Sequence, residues 1–146
     1  MTDRTGTTVT PELLAAYEAT DYAIAADPGA VARPGVPSVE VDALLSRFGV
    51  RTAAVLTAWN PLSQTTPPAE NAAAQARLVA RLRAEGLPTL PAEGRGRDGT
   101  WPPEESLCIL GIEMEAAHRM AGDFRQAAFL WLETGLPPRV VLTRRA

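Results

Sequence analysis

The chain of 146 residues has no lysine, one cysteine and one histidine. A single cysteine, Cys108, excludes an internal disulfide and a cysteine-based metal cluster. A single histidine, His118, excludes a multi-histidine metal site, so no metal or other cofactor is implied. No run of about 18 apolar residues is present, the minimum for a membrane-spanning helix. The polar opening Met1-Thr2-Asp3-Arg4 has no signal-peptide core, which makes the cytoplasm the expected location and a membrane an unexpected partner. Positive charge is also scarce. Fourteen arginines against 17 acids leave a net charge of −3, and the pI is about 5.2. That balance disfavours nucleic-acid binding by a broad basic face.

What remains is an ordinary globular composition, 46% apolar and 21% charged, long enough to bury one sizeable core. Residues 1–10 read as a disordered polar tail and 11–146 as a single domain. Thr10-Pro11-Glu12 is a helix start, with a capping hydroxyl, proline at the first position and an acid in the first turn. That helix is predicted to end near Thr20, followed by a strand over Tyr22–Ala25. Asp27–Pro37, with two glycines and three prolines, reads as a loop. Val41, Leu44, Leu45 and Phe48 recur at helical spacing and predict a helix from Val39 to Phe48, closed by Gly49.

Thr52–Ala58 is almost wholly apolar and predicts a buried central strand. It ends in Trp59-Asn60-Pro61. A long helix is predicted over Glu70–Glu85, with Ala72, Ala76, Val79 and Leu82 as its apolar stripe, widened by Leu78. Thr89–Glu93 reads as a strand, Gly94–Gly99 as a hairpin loop carrying Arg95 and Arg97, and Glu105–Leu110 as a second strand. A helix through Ile112, Ala116, Ala117 and Met120 follows, with His118 at its edge. Gln126–Glu133 and Val140–Leu142 are the last strands. The middle of the chain thus runs strand, helix, strand, strand, helix, strand. This is the order of a ferredoxin-like βαββαβ unit. The expected fold is α+β: that core on a mainly antiparallel sheet, an N-terminal helix/strand/helix extension, and a C-terminal hairpin strand. A three-layer α/β sheet is the alternative.

The strand-to-helix exit at Asn60-Pro61 is where such folds often hold ligands. Asn60 and Asn71 would set two amides on that rim, able to bond the polar edge of a ligand. Equally, Asn60 would organise the turn and Asn71 tie the loop to the backbone. Trp59 lies in the same stretch and would pack at the rim or meet a ligand. Gln126, at the start of a strand, would either read a ligand or satisfy a loop carbonyl. Glu104 and Glu105 enter a strand mouth, where burial would raise a carboxyl pKa and suit acid/base work. The alternative is a plain loop acid for Glu104, and an arginine partner or a helix cap for Glu105. Glu105 and Ser106 face opposite sides of a strand and do not form a nucleophile–base pair. Arg95 and Arg97 lack the spacing of a phosphate loop, and no Ser-His-Asp arrangement is supported.

Several signatures occur together: Leu56-Thr57-Ala58-Trp59-Asn60-Pro61, Asn71, Trp101 through Glu105-Ser106, Gly111-Ile112, and Phe124-Arg125-Gln126-Ala127 followed by Trp131. In this order they resemble a bacterial family known only as domain of unknown function 3293, over roughly Tyr17 to Val141. The resemblance implies a fold and candidate positions, and no reaction.

Three readings follow. The first is a small binding module, with Asn60, Asn71, Gln126 and Trp59 around a pocket for a small polar molecule or a peptide. The second is a metal-independent enzyme using Glu104 or Glu105 as general acid/base. The third is a regulatory interaction domain that pairs through a sheet edge, compatible with a homo-oligomer.

Overall fold

The computed structural model describes residues 9–97, 99 and 102–144. Trp101 and most of the N-terminal tail lie outside the described residues. The described residues form four α-helices and seven strands. Helix α1, Pro11–Glu18, begins where Thr10 Oγ1 accepts from the Leu13 amide at 3.0 Å. Strands β1, Thr20–Ile24, and β2, Ala30–Ala32, follow. Helix α2, Val39–Arg47, is capped by Ser38 Oγ on the Val41 amide at 3.1 Å. Strand β3 is Thr52–Leu56, and helix α3 is Pro68–Ala84. Strands β4, Thr89–Gly96, and β5, Glu104–Leu110, form a hairpin. Helix α4, Met114–Asp123, strand β6, Ala128–Glu133, and strand β7, Arg139–Leu142, complete the chain.

The strands make one sheet in the order β2-β1-β4-β5-β3-β6-β7, and every neighbouring pair is antiparallel. Side chains alternate across it, which divides the core in two. On one face Leu78 and Leu82 of α3 and Ala117 and Met120 of α4 pack on Ala54, Leu56, Ile109, Phe129 and Trp131. On the other, Val41, Leu44 and Leu45 of α2 pack on Ile24, Ala53, Val55, Leu110, Leu130 and Leu132. The protein is thus a single mixed α/β domain with helices on both faces of a wholly antiparallel sheet. Its antiparallel pairing matches the expectation of a mainly antiparallel sheet.

The sheet also curls. Strands β2 and β7 are its two edges, about 29 Å apart in a flat sheet of six steps. Yet the Gly35 amide, three residues beyond β2, donates to the Pro138 carbonyl beside β7 at 2.7 Å. Three residues reach only about 10 Å. The edges therefore bend towards one another around α2, which fills the hollow.

Several expectations need correction. Asp27–Pro37 is not all loop, because Ala30–Ala32 pairs with β1, burying Ala30 and Ala32 in the α2 face. Gly94–Gly96 belong to β4 rather than to the hairpin tip, since β1 on the other side continues the ladder to Thr20↔Gly96. Arg95 pairs with Glu93, while Arg97 pairs with Asp21 and bonds the Glu18 carbonyl. On α3 the buried face is Asn71, Ala74, Gln75, Leu78 and Leu82, whereas Ala72 and Ala76 are exposed. The stripe is rotated because two amides, not alanines, face the sheet. His118 is 3% exposed rather than at an edge. Its Nδ1 accepts from the Arg144 amide at 3.1 Å and its ring meets Phe129 edge-on. Gln126 precedes β6 instead of opening it.

Candidate functional site

The exit of β3 is held by an uncommon substitute for a neighbouring strand. Pairing with β5 ends at Leu56↔Leu107. Beyond it, Thr57 Oγ1 donates to the Glu105 carbonyl at 2.6 Å. The Ala58 amide then donates to Gln75 Oε1 at 2.9 Å, and the Asn60 amide to Asn71 Oδ1 at 2.8 Å. Gln75 and Asn71 are one turn apart on α3, about 6 Å. Ala58 and Asn60 follow the end of β3, and their amides meet these two side chains in turn. The helix thus presents two amide oxygens where a strand would present carbonyls.

Asn60 itself adopts the left-handed conformation, φ 46° and ψ 62°, which asparagine tolerates better than most residues. This turns the chain into a single 3₁₀ turn, Pro61–Ser63. The Asn60 side chain then works in two directions. Its Oδ1 accepts from the Thr66 amide at 3.1 Å and from Asn71 Nδ2 at 3.0 Å. Its Nδ2 donates to Glu104 Oε1 at 3.1 Å. Asn71, 2% exposed, spends its second amide hydrogen on the Thr66 carbonyl at 3.1 Å. Gln126 is equally occupied, with Nε2 donating to the Trp59 carbonyl at 3.0 Å and to the Phe124 carbonyl at 3.3 Å.

Asn60, Asn71 and Glu104 are therefore joined directly, and Gln126 meets the same stretch through Trp59. The two neighbouring acids divide. Glu105 is exposed and enters the network through its carbonyl only. Glu104 is half-buried. Burial pushes its carboxyl above the ordinary glutamate range, and the Asn60 bond opposes that shift without cancelling it.

Residues that sequence reasoning did not select as site residues complete the surroundings. Glu104 stands opposite Gly94 and Gly94 opposite Tyr22, so all three share one face. A Cβ on Gly94 would lie 3.6 Å from Tyr22 Cε1, so the phenol ring covers the glycine and reaches towards Glu104. Burial, then the Glu104 charge, holds Tyr22 neutral well above the ordinary tyrosine range. Tyr17 of α1 and Ser63 of the 3₁₀ turn share a 2.7 Å hydrogen bond at the outer side. Gln75 was also overlooked, although its i,i+4 spacing from Asn71 was legible. Two buried donors, Trp59 Nε1 and Gln75 Nε2, have no hydrogen-bond partner among the described residues.

A separate shallow groove runs along the outside of α1, between Pro11, Leu14, Glu18 and Arg97. None of the sequence-selected residues lines it. Among the described residues no group of three His, Cys, Asp or Glu side chains could hold a metal ion, and no helix is long and apolar enough to cross a membrane.

A family model described as protein of unknown function (DUF3293) matches residues 56–129, half of the chain. The chain belongs to that family. The matched span begins with the exit of β3 and contains Asn60, Asn71, Gln75, Glu104 and Gln126. It is narrower than the Tyr17–Val141 range of the sequence resemblance and leaves out Tyr22. No curated protein and no solved structure matches the chain.

Proposed function

We propose that this protein is a small binding module, and that its site is the corner formed by Asn60, Glu104, Trp59 and Tyr22. The observation that carries this reading is the half-buried Glu104 carboxyl, fixed through one oxygen by Asn60. Asn71 and Gln126 act behind that corner, holding the backbone that shapes it. The ligand is a small polar molecule, or the polar end of a peptide, that meets the remaining oxygen of Glu104. A metabolite screen by thermal shift tests this. Binding raises stability by RT ln(1 + [L]/Kd), so weak ligands register at high concentration. Hits that stabilise the wild type and lose their effect in Glu104→Gln support the site. Hits indifferent to that change refute it.

A second reading, a metal-independent enzyme with Glu104 as general acid, is favoured by the upward push that burial gives the Glu104 carboxyl pKa. Turnover abolished by Glu104→Gln and retained by Glu105→Gln would establish it. A third, an interaction domain, draws on the exposed side chains of Val36, Val39 and Leu136. The Gly35–Pro138 and Gly135–Asp42 bonds gather their loops at one place. A sedimentation shift abolished by Val39→Glu would favour it. We also read β3-α3-β4-β5-α4-β6 as a ferredoxin-like unit. The strand order β4-β5-β3-β6, with α3 and α4 on one face, supports this. The cytoplasm is the proposed location.

A further inference from the structure

We infer that the Glu104 corner takes a primary ammonium group, on a free amine or on a lysine side chain, which donates to the Glu104 oxygen that Asn60 leaves unused. The inference rests on the binding reading above and narrows it to a ligand class.

Two observations carry it. The first is an oxygen open to a donor. Asn60 Nδ2 holds Oε1 at 3.1 Å, while Oε2 has no hydrogen bond among the described residues. The fully buried side-chain atoms in that condition are Asp21 Oδ1, Trp59 Nε1 and Gln75 Nε2. Glu104 Oε2 is not one of them, so it keeps surface that a ligand can reach. The second is a missing countercharge. Asp21, Glu85, Glu93, Glu115 and Asp123 each have an arginine partner, and Glu104 has none among the described residues. Its neighbours in the sheet do not supply one. Gly94 stands opposite it, and Arg95, one residue on, projects from the other face, where it pairs with Glu93. Tyr22, on the Glu104 face, is held neutral by burial and then by the Glu104 charge itself.

A half-buried carboxylate without a countercharge is costly, and a cation at Oε2 relieves that cost. The number of open oxygens then selects the cation. A guanidinium grips a carboxylate through two parallel bonds, one to each oxygen, and Asn60 already occupies the first. An ammonium is a compact point charge that needs only the second. A ligand carboxylate or phosphate would set like charge against Glu104, and a neutral donor would leave the countercharge missing. The chain has no lysine, so a second copy has no such side chain to offer and the group comes from another molecule.

The Asn60 side-chain amide reports on the site, because it is bonded to the same carboxyl. Its 1H–15N cross-peaks, assigned by triple-resonance spectroscopy, are followed while propylammonium chloride is titrated into the whole protein. Sodium chloride, tetramethylammonium chloride and propylguanidinium chloride are the controls at equal ionic strength. The peaks are expected to move saturably with propylammonium. Tetramethylammonium, which has no N–H, and propylguanidinium should bind about tenfold more weakly or worse. Glu104→Gln removes the charge, keeps an acceptor for Asn60, and should raise the apparent Kd for propylammonium by about tenfold or more. The wild-type titrations decide alone if that variant does not fold. Nα-acetyl-lysine methylamide, titrated in parallel, separates the two sources: tighter binding than propylammonium assigns the group to a peptide, and weaker binding to a small amine. Three results overturn the inference: no saturable movement with either amine, equal affinity for tetramethylammonium or propylguanidinium, or an affinity unchanged in Glu104→Gln. A Glu104-dependent hit of another class in the metabolite screen would leave the binding reading standing while this one falls.

Discussion

Replacing Asn71 with alanine removes three hydrogen bonds at one stroke. Its side chain accepts from the Asn60 amide at 2.8 Å, and donates to Asn60 Oδ1 at 3.0 Å and to the Thr66 carbonyl at 3.1 Å. Each contributes about 1 kcal/mol net, and an amide left buried without a partner costs about 1–3 kcal/mol more. The expected loss is therefore about 4–6 kcal/mol, a large share of the roughly 5–15 kcal/mol that holds a domain together. For a chain of this size the melting temperature should fall by about 8–24 °C. Urea unfolding at unchanged m-value is the assay. Asn71→Asp sharpens the test. It keeps an acceptor for the Asn60 amide but sets its other oxygen against Asn60 Oδ1 and the Thr66 carbonyl. Only the protonated acid can donate there, so its folded-state pKa lies above the unfolded one. The folded state then binds the proton more tightly, and this variant should gain stability as pH falls. An Asn71→Ala protein within about 1 kcal/mol of wild type would refute the role given to this residue.

Three further outcomes are expected. Because Glu104 holds its proton above the ordinary glutamate range when folded, its contribution is fully present below the unfolded pKa and is lost as pH rises through the folded one. Glu104→Gln should flatten that part of the stability profile, and parallel profiles for the two proteins would contradict the assignment. Cys108 is fully buried and its thiol is pushed up to about 12 by burial, so a disulfide-exchange reagent should label it only as fast as the protein unfolds. Rapid labelling in native buffer would show the β5 core to be open. At Gly94, alanine meets the Tyr22 ring at an ordinary contact distance of 3.6 Å and should cost less than about 1 kcal/mol. Leucine should displace the ring and change the near-ultraviolet circular dichroism, and equal behaviour of the two variants would remove Tyr22 from the corner.

The parts of the fold legible in the sequence are those written in local periodicity. Val41, Leu44, Leu45 and Phe48 at helical spacing read as α2, and Thr52–Ala58 as a buried strand, because periodicity and burial act over a few residues. Strand β2 was not legible. Its three residues lie between prolines and glycines, and only the partner strand and the hollow around α2 make them a strand. The rotated face of α3 failed for another reason. Apolar periodicity assigns alanine to the core, while Asn71 and Gln75 are buried because the exit of β3 needs two acceptors. At the site, Asn60 and Asn71 were visible as turn chemistry and Glu104 as a strand-mouth acid. Tyr22 was not, since its place beside Glu104 depends on β1 and β5 flanking β4, a pairing that joins residues about eighty positions apart.

The same two acceptors bear on where function lies in this family. Where β3 loses its β5 partner, a strand could continue only if another strand were laid beside it. Here α3 supplies the acceptors from Gln75 and Asn71, and the chain is free to turn at Asn60 while its amides stay paired. That fixes the backbone from Ala58 to Thr66 through bonds that a ligand could displace only by leaving buried groups unpaired. The asparagines are therefore poor candidates for direct contact, although they sit where α/β folds hold ligands. What the rigid turn leaves available is the group it points at. Asn60 Nδ2 fixes one oxygen of Glu104, whose half-buried side chain shares a sheet face with Gly94 and Tyr22. If the protein binds or reacts at this junction, the specificity resides in Glu104, Trp59 and Tyr22. Substitutions at Asn71 or Gln75 should then lower stability before they alter ligand preference, and substitutions at Glu104 should do the reverse.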